Sequence, residues 1–352
     1  MSLNKTFITF IVPAYNVENT VSETINSLLE QTDDGFRIVI VNDGSTDNTD
    51  SICREFYETH QDIITYLKQD NKGLGAARNA GLKTVDTEYV SFIDSDDIQD
   101  RKFVEELRKR LLSYDVNPDI LITLPTIFDM ATNRTIDWFD RKILETSVLS
   151  NENKNSNEVF IASGNPWVYL LEVNACRKVY SVHFLNSQDF SFPEGLKWED
   201  IPSHFALLHN AKSIGFLETG FFYRINGGNQ ITKSKGKGRL DIIPIFNQLL
   251  DIILDGSWKP LELAYAVRLI VSYSKWFIDE TQIDYIDQLL EGLHKVYLRI
   301  PKRVFNTYLN TCSPHKRKEK LMYYILRSHF YRLYNDYRLR GDIKSILSIV
   351  RK

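Results

Sequence analysis

The chain has 352 residues, with 43 basic and 46 acidic side chains and a formal net charge of -3. An apolar content of 43% and a charged content of 25% are typical of a globular protein and exclude a largely disordered chain. The near-neutral charge argues against nucleic acid as a partner. Three cysteines without a CxxC spacing argue against a disulfide scaffold or a zinc site and favour a cytoplasmic location. No signal peptide or membrane-spanning segment is predicted.

The first 115 residues alternate between short apolar segments and helical patterns. Strands are predicted at Phe7–Val12, Arg37–Val41, Ile63–Leu67 and Tyr89–Ile93. Helices are predicted between them, from a capping box at Thr20 and Glu23, from near Asp47, and at Leu74–Thr84. This alternation predicts an α/β fold with a parallel sheet, which binds ligands at the carboxyl ends of its strands. From about Leu240 the pattern becomes helical.

Three carboxylates follow the fourth predicted strand in the segment Phe92–Asp97. Like charges at this spacing are unfavourable unless a cation neutralises them. Hard oxygen ligands at a strand end favour Mg²⁺ or Mn²⁺ over zinc, with further ligands from a substrate diphosphate. The alternative is a turn in which Ser95 or Asp97 caps a helix that begins near Asp100.

The segment Val41–Asp47 places Asp43 at a strand end, followed by glycine and small hydroxyl residues. Such a carboxylate can hydrogen-bond a nucleotide base or a ribose. A β-turn followed by a helix N-cap explains the same residues equally well.

A glycine-rich segment, Lys72–Asn79, partly matches the dinucleotide-binding pattern G-x-G-x-x-G. Arg78 stands at the third glycine position, and the segment follows the third strand instead of the first, which disfavours a Rossmann oxidoreductase. Small residues that end in an arginine instead allow a helix N-terminus to approach an anionic ligand with a cation directed at it.

Together, four segments resemble the family 2 inverting glycosyltransferases of bacterial type, which have the GT-A fold. They are Ile11–Asn16, Val41–Asp47, Gly75–Gly81 and Phe92–Asp97, and their order and spacing carry the resemblance. It is close over residues 6–115, looser to about residue 232, and absent from the helical C-terminus. It implies a Rossmann-like, mostly parallel sheet that binds a nucleotide-diphospho-sugar, followed here by an α-helical domain.

The resemblance implies a nucleotide site. Pro13 and Tyr15 would hold the base, with Tyr15 stacking on it, and Asp43 would hydrogen-bond it. Arg78 would reinforce the nucleotide end of the site.

The resemblance also implies catalytic groups. Asp94 and Asp96 form the D-x-D pair, which binds the ribose and a Mn²⁺ or Mg²⁺ ion that bridges the donor diphosphate. Inverting transfer needs a base on the acceptor side, and the family places it in a Glu-Asp pair. Here Asp200 is expected to be the general base and Glu199 a supporting or acceptor-orienting group.

Two tryptophans are candidates for acceptor binding. Trp198 and Trp167 could each stack on a sugar, although core packing explains both at least as well. The catalytic interpretation of Glu199 and Asp200 also has an alternative, which is that they cap a helix that begins near Ile201.

We therefore expect a metal-dependent inverting glycosyltransferase that uses a nucleotide sugar, most often UDP-linked in this family. Its acceptor would be a hydroxyl of a saccharide, lipid-linked or glycoprotein substrate. The alternatives are a non-catalytic partner subunit, which would lack an intact D-x-D or base, and a sugar-1-phosphate nucleotidyltransferase, which would need an N-terminal glycine-rich loop. The expected domains are a catalytic domain at 1–239, divided into a nucleotide-binding half (1–115) and an acceptor-side half (116–239), and a helical domain at 240–352.

Two basic segments have open interpretations. The segment from Gly227 to Arg239, with Lys233, Lys235 and Lys237, could be a hinged lid over the diphosphate or a plain surface loop. Residues 313–352 contain eleven Lys or Arg and three acids, a net charge of +8, among many aromatics. This tail could contact the cytoplasmic face of a membrane, or its aromatics could pack within the helical domain or a homodimer interface.

Overall fold

The computed structural model describes residues 3–129, 132–149, 158–225 and 235–328. The chain divides into two compact units, residues 1–228 and 229–352. This division falls before the expected boundary at residue 239. A short 3₁₀ turn at Lys237–Asp241 leads directly into the first helix of the second unit, so residues 235–239 are continuous with that unit.

The first unit begins with four strands and three helices in the places that the sequence predicts. They are β1 (Ile8–Ala14), α1 (Val21–Leu29), β2 (Phe36–Asp43), α2 (Thr49–Thr59), β3 (Ile64–Gln69), α3 (Leu74–Leu82) and β4 (Tyr89–Phe92). The further strands and α-helices described in this unit are β5 (Ile98–Gln99), α4 (Phe103–Ser113), β6 (Ile120–Thr123), β7 (Thr126–Asp129), β8 (Arg134–Asp137), α5 (Arg141–Leu144), β9 (Lys178–Ser181), α6 (Val182–Ser187), α7 (Asp200–Asn210), β10 (Ile214–Leu217) and β11 (Phe221–Ile225).

Among the described residues, seven strands form the main sheet in the order β10-β6-β9-β4-β1-β2-β3. Strand β9 runs antiparallel to β4 and β6, and the other pairs are parallel. A second sheet has the order β5-β11-β7-β8. Because β4, β1 and β2 are neighbours and parallel, the segments that follow them share one edge of the sheet.

The core of this unit follows from continuous apolar strands. Every residue of β1 is buried, as expected for a central strand covered on both faces. Helix α1 buries Val21, Ile25 and Leu28 against the sheet. The predicted capping box does not form: the Thr20 hydroxyl donates to the carbonyl of Val17 at 3.4 Å, and Glu23 pairs with Arg224.

The second unit is helical, as the sequence predicts. Its helices are α8 (Ile242–Ile253), α9 (Pro260–Glu280), α10 (Ile283–Arg299), α11 (Lys302–Thr311) and α12 (Lys316–Arg327). In the part of the chain that the structure describes, none of the helices is both long and apolar enough to span a membrane.

The start of the basic tail contributes to the core of this unit. Tyr323 is only 1% exposed and stacks on Phe305 with 3.7 Å between ring centroids. Arg327 donates to the carbonyl of Tyr297 at 2.8 Å, near the end of α10. For Tyr323 the packing interpretation is therefore correct. The rest of the tail, residues 329–352, lies outside the described residues.

Candidate active site

Two loops meet where the parallel neighbours β1 and β2 end. Pro13 is buried within β1. After it, Asn16 Oδ1 accepts a hydrogen bond from Thr46 N at 2.8 Å, which joins the loop after β1 to the loop after β2. The side chain of Tyr15 in the first loop is 48% exposed. Its ring is therefore accessible at the sheet edge where the sequence places the nucleotide.

Asp43 lies at the end of β2 and organises the start of helix α3. Its Oδ1 accepts hydrogen bonds from Gln69 Nε2 at 2.7 Å and Lys72 N at 2.9 Å, and its Oδ2 accepts one from Gly73 N at 2.8 Å. An ionised carboxylate has about four acceptor positions. Asp43 can therefore hold this loop and still accept a further hydrogen bond.

Hydrogen bonds connect the D-x-D turn after β4 to Arg224 of strand β11. Asp97 Oδ1 accepts a hydrogen bond from Arg224 N at 3.0 Å, and Arg224 Nε donates to the carbonyl of Asp96. Asp97 does not cap a helix, because α4 begins only at Phe103. The turn leaves Asp94 and Asp96 partly exposed.

This turn offers the ligands that a hard cation requires. Asp97 is fully buried, and its Oδ2 has no hydrogen-bond partner among the described residues. Burial, and then the charges of Asp94 and Asp96, raise the pKa of Asp97 well above its usual range. Oxygen donors of this kind fit Mg²⁺ or Mn²⁺, which commonly take one or two carboxylates together with substrate phosphates. A group of three or more His, Cys, Asp or Glu side chains with metal-binding geometry is absent from the described residues.

Arg78 links this turn to the Glu-Asp pair. Its Nη1 donates to Glu199 Oε1 and to Asp200 Oδ1, both at 2.7 Å, and its Nη2 donates to Asp94 Oδ1 at 3.1 Å. The arginine is 1% exposed. The guanidinium thus lies between three carboxylates, and its expected role at the nucleotide end of the site stays a prediction.

Glu199 and Asp200 stand at the start of helix α7, and Arg78 binds both of them. The Glu199 side chain does not cap this helix, although it occupies the N-cap position. Burial, and then the charge of Asp200, raise the pKa of Glu199 to about 8. Burial also raises the pKa of Asp200, and Arg78 opposes this shift. The Asp200 side chain is 19% exposed and that of Glu199 is 4% exposed, so Asp200 is the more accessible carboxylate.

Three buried residues beside Asp200 had no signal in the sequence. Cys176, Lys178 and Tyr180 lie on or just before β9, within electrostatic range of Asp200. Burial, and then the charge of Arg177, lower the pKa of Lys178 to about 7. These residues reach the site because β9 inserts antiparallel between β4 and β6, which no local pattern predicts.

The two candidate acceptor tryptophans are both partly buried. Trp198 directly precedes the Glu-Asp pair and has a φ of 72°, a left-handed conformation that is strained for a bulky residue. Trp167 lies 5.5 Å from Phe160 between ring centroids, and its Nε1 donates to Asn165 Oδ1 at 3.4 Å. Sugar stacking by either tryptophan remains a prediction.

The structure describes only the end of the basic segment for which a lid and a surface loop were both considered, and of its cations Arg239 fits neither interpretation. Arg239 is buried, with its guanidinium 4.5 Å from the ring centroid of Trp276. Lys235 Nζ lies 3.2 Å from Glu280 Oε2. Both cations thus belong to the helical unit, where aromatic and acidic partners hold them. The segment 226–234 lies outside the described residues.

A known protein family matches the first part of the chain. Residues 9–169 match the family model of glycosyl transferase family 2. The match covers a little under half of the chain and makes this part similar to the glycosyltransferases of that family. The predicted family and the predicted GT-A fold, with its Rossmann-like sheet and helical C-terminal region, are confirmed.

Curated relatives support the same class. Glycosyltransferase GlyA of Streptococcus pneumoniae is 46% identical over 110 residues, which are 31% of this chain and 16% of GlyA. The minor teichoic acid biosynthesis protein GgaB of Bacillus subtilis is 26% identical over 96% of this chain and 38% of GgaB. The chain thus spans well under half the length of these two relatives.

Solved structures share the fold. TarS residues 1–349 of S. aureus, in complex with UDP-GlcNAc, superpose with a TM-score of 0.71 at 19% identity, over 93% of this chain and 92% of that one. The mannosyltransferase PcManGT of Pyrobaculum calidifontis, in complex with GDP-Man and Mn²⁺, has a TM-score of 0.51 at 16% identity, over 93% and 87%.

Proposed function

We propose that the chain is a metal-dependent inverting glycosyltransferase that moves a sugar from a UDP-linked donor to an acceptor hydroxyl. One observation carries the proposal. Asp94 of the donor-side turn and Asp200 of the acceptor-side pair, which come from separate motifs, are bonded to the same buried guanidinium of Arg78. This shared contact supports the proposal, because glycosyl transfer requires a donor site and a base to lie side by side.

The nucleotide is proposed to bind at the ends of β1 and β2. The exposed ring of Tyr15 would stack on the base beside Pro13, and Asp43 would accept a hydrogen bond from a base N–H. Uracil carries such an N–H, and the TarS neighbour binds UDP and UDP-GlcNAc. Guanine and thymine carry such an N–H too, so the preference for UDP rests on the TarS neighbour.

Asp94 and Asp96 would hold a Mn²⁺ or Mg²⁺ ion. When bound, the cation would stabilise the negative charge of the departing nucleoside diphosphate. The oxygen-only ligand set and the presence of Mn²⁺ with the PcManGT neighbour support this assignment. Asp94 would also orient the donor relative to Arg78, which it already contacts.

Asp200 is proposed as the general base. It would take the proton of the acceptor hydroxyl as the acceptor oxygen bonds to the anomeric carbon. The bond from that carbon to the diphosphate oxygen breaks on the opposite face, and the nucleoside diphosphate leaves with the electron pair. Asp200 is preferred to Glu199 because it is more exposed, and because a pKa of about 8 keeps Glu199 protonated at neutral pH.

The acceptor is proposed to be a saccharide, lipid-linked or glycoprotein substrate, with a cell-surface polymer as the favoured case. The name of GgaB, a minor teichoic acid biosynthesis protein, supports a polymer. Trp198 precedes the base and Trp167 is partly exposed in the same half of the unit, so both stay proposed acceptor contacts. A non-catalytic subunit is disfavoured, because the D-x-D pair and Asp200 are all present.

Nucleotide release tests the proposal. The purified chain would be incubated with UDP-, GDP- and dTDP-sugars, with Mn²⁺ or Mg²⁺ and with EDTA. We expect slow metal-dependent release of UDP from one UDP-sugar, because water can replace an absent acceptor. If no nucleotide sugar is consumed, with or without a teichoic acid or oligosaccharide acceptor, and none protects the chain against thermal unfolding, the proposal fails.

A further inference from the structure

The segment that carries the proposed base has an irregular backbone. Residues 192–200 comprise the later part of the connection between α6 and α7 and the first residue of α7, and we call them the base segment. The segment contains two residues of positive φ, Gly195 at 70° and Trp198 at 72°. A bulky residue such as Trp198 holds this conformation only where surrounding contacts impose it. Something outside the segment therefore has to fix its path.

Asn79 of helix α3 holds the beginning of the base segment. Its Oδ1 accepts a hydrogen bond from Phe192 N at 2.8 Å. Its Nδ2 donates to the carbonyl of Phe192 and to Glu194 Oε1, both at 2.9 Å. The buried amide thus bonds both polar backbone groups of one residue, so the position of that residue relative to α3 is closely defined.

Gly75 allows the two backbones to approach closely. A Cβ atom at this position would lie 2.1 Å from the carbonyl oxygen of Pro193, a distance that no side chain tolerates. The absence of a side chain therefore lets the first turn of α3 lie directly against the base segment.

Arg78 holds the other end of the base segment. It bonds Glu199 and Asp200, and its guanidinium also lies 5.4 Å from the ring centroid of Phe192. Contacts from α3 therefore bracket Trp198, with Asn79 before it and Arg78 after it. This arrangement supplies the outside contacts that the strained backbone needs.

We propose that Gly75, Arg78 and Asn79 act together as positioning residues that hold the base segment against α3 and so aim Asp200 at the donor side. This glycine-rich segment would thereby position the acceptor-side base, in addition to the nucleotide role expected of Arg78. The inference rests on the proposed function only in naming Asp200 as the base. The structural part of the inference, that α3 fixes the position of residues 192–200, does not depend on whether the chain has transferase activity.

Hydrogen exchange tests the structural part of the inference. The Asn79→Ala and Arg78→Gln variants would be compared with wild type, peptide by peptide. Loss of a buried hydrogen bond should speed exchange by about tenfold in residues 192–203 and leave strand β2, residues 36–43, unchanged. Arg108→Gln is the matched control for arginine, because Arg108 pairs with Asp33 at 2.6 Å, outside the site. It should leave residues 192–203 protected.

The pH dependence of transfer tests the effect on the base. The charged or titratable groups that act on Asp200 come from α3, the D-x-D turn, β9 and the base segment: Arg78, Asp94, Cys176, Lys178, Tyr180 and Glu199. Removing the cation in Arg78→Gln should move the acidic limb of kcat/KM to higher pH by about one unit. Arg78→Lys should restore much of that shift, because it keeps the charge. A residue that only stabilised the fold would lower activity without moving the limb.

The outcomes separate the two ideas. Unchanged exchange in residues 192–203 in both folded variants would overturn the inference, even if the enzyme is active. Faster exchange there in a chain that consumes no nucleotide sugar would support the positioning role and overturn the proposed function. If Arg78→Gln does not fold, Asn79→Ala and Arg78→Lys give the same exchange test.

Discussion

Arg78 and Asp200 are joined by a hydrogen bond of 2.7 Å between Nη1 and Oδ1 in a site where the arginine is almost completely buried. Burial of a carboxylate favours its protonated form, whereas an adjacent cation favours the ionised form. Arg78 therefore opposes the protonation of the proposed base. Because the same nitrogen also bonds Glu199 and Nη2 bonds Asp94, one cation serves three carboxylates, and one of them can bind a proton at little cost.

Replacing Asp200 by asparagine removes the proposed base and keeps the size of the side chain. We expect transfer to fall by about 10²- to 10⁴-fold, the usual contribution of a general base. UDP binding in Mn²⁺, measured by calorimetry, should stay close to wild type, because Asp200 is not among the proposed nucleotide contacts. Turnover within a few-fold of wild type would show that Asp200 is not the base.

Glu199→Gln should have a much smaller effect on transfer near pH 7, because glutamine resembles the protonated carboxyl. Its clearer effect concerns stability. The pKa of Glu199 is about 8 in the folded chain against an ordinary 4.5, so only the folded state keeps this proton between those pH values. The bound proton contributes fully to the free energy of unfolding below pH 4.5. This contribution is lost as the pH rises to about 8, and the free energy of unfolding then falls by at most about 1.4 kcal/mol per pH unit.

Urea unfolding at several pH values checks this prediction. The wild type should lose stability relative to Glu199→Gln as the pH rises from 5 to 8. Equal slopes in the two proteins would mean that Glu199 is ionised in the folded chain, and the assignment of its protonation state would then be wrong.

Local patterns predicted the nucleotide half of the fold because each element there is short, regular and adjacent to its neighbours in sequence. The runs that became β1 and β2 are continuously apolar, and α1 has a clear helical period. The D-x-D pair and the Glu-Asp pair could be proposed as candidates from the sequence, because each lies within a few consecutive residues. What the sequence did not predict depends on contacts between distant segments.

Arg78 illustrates that limit. Its bonds to Glu199 and Asp200 cross more than one hundred residues, and a cation in a glycine-rich segment was therefore assigned to an anionic ligand. The insertion of β9 into the sheet, which brings Lys178 near Asp200, is a topological choice of the same kind. Arg239 was interpreted as a cation of a lid or of a surface loop, because its burial beside Trp276 depends on a helix that begins more than twenty residues later.

Asp96→Ala should abolish transfer and weaken UDP binding in the presence of Mn²⁺. In EDTA the variant and the wild type should bind UDP with similar affinity, because the substitution removes only the part of the UDP affinity that depends on the metal. Asp86→Ala is the matched control, since Asp86 is exposed and outside the site. It should retain wild-type affinity under both conditions. A variant that loses UDP affinity equally with and without metal would contradict the assignment of Asp96 as a metal ligand.

The exposed basic cluster at the start of α12 provides a test of membrane contact, proposed here for anionic lipid. Its members are Lys316, Arg317, Lys318 and Lys320. Glu319 lies among them, but its carboxylate accepts hydrogen bonds from Tyr308, at 2.6 Å, and from Ser313, so it is directed inward. Cutting the chain before α12 is a poor test, because it would remove the buried ring of Tyr323 from the core of the helical unit.

Replacing the four basic residues of this cluster by glutamine preserves the helix and removes the charge. Each cation near an anionic surface contributes about 1 kcal/mol, so binding to phosphatidylglycerol-containing vesicles should fall at least about tenfold in sedimentation assays, with weaker salt dependence. The matched control replaces four exposed basic residues elsewhere in the same unit: Lys237, Lys295, Lys302 and Arg303. If both sets lower binding equally, the attraction is a property of total charge, and if neither wild type nor variants sediment with vesicles, this cluster has no membrane role.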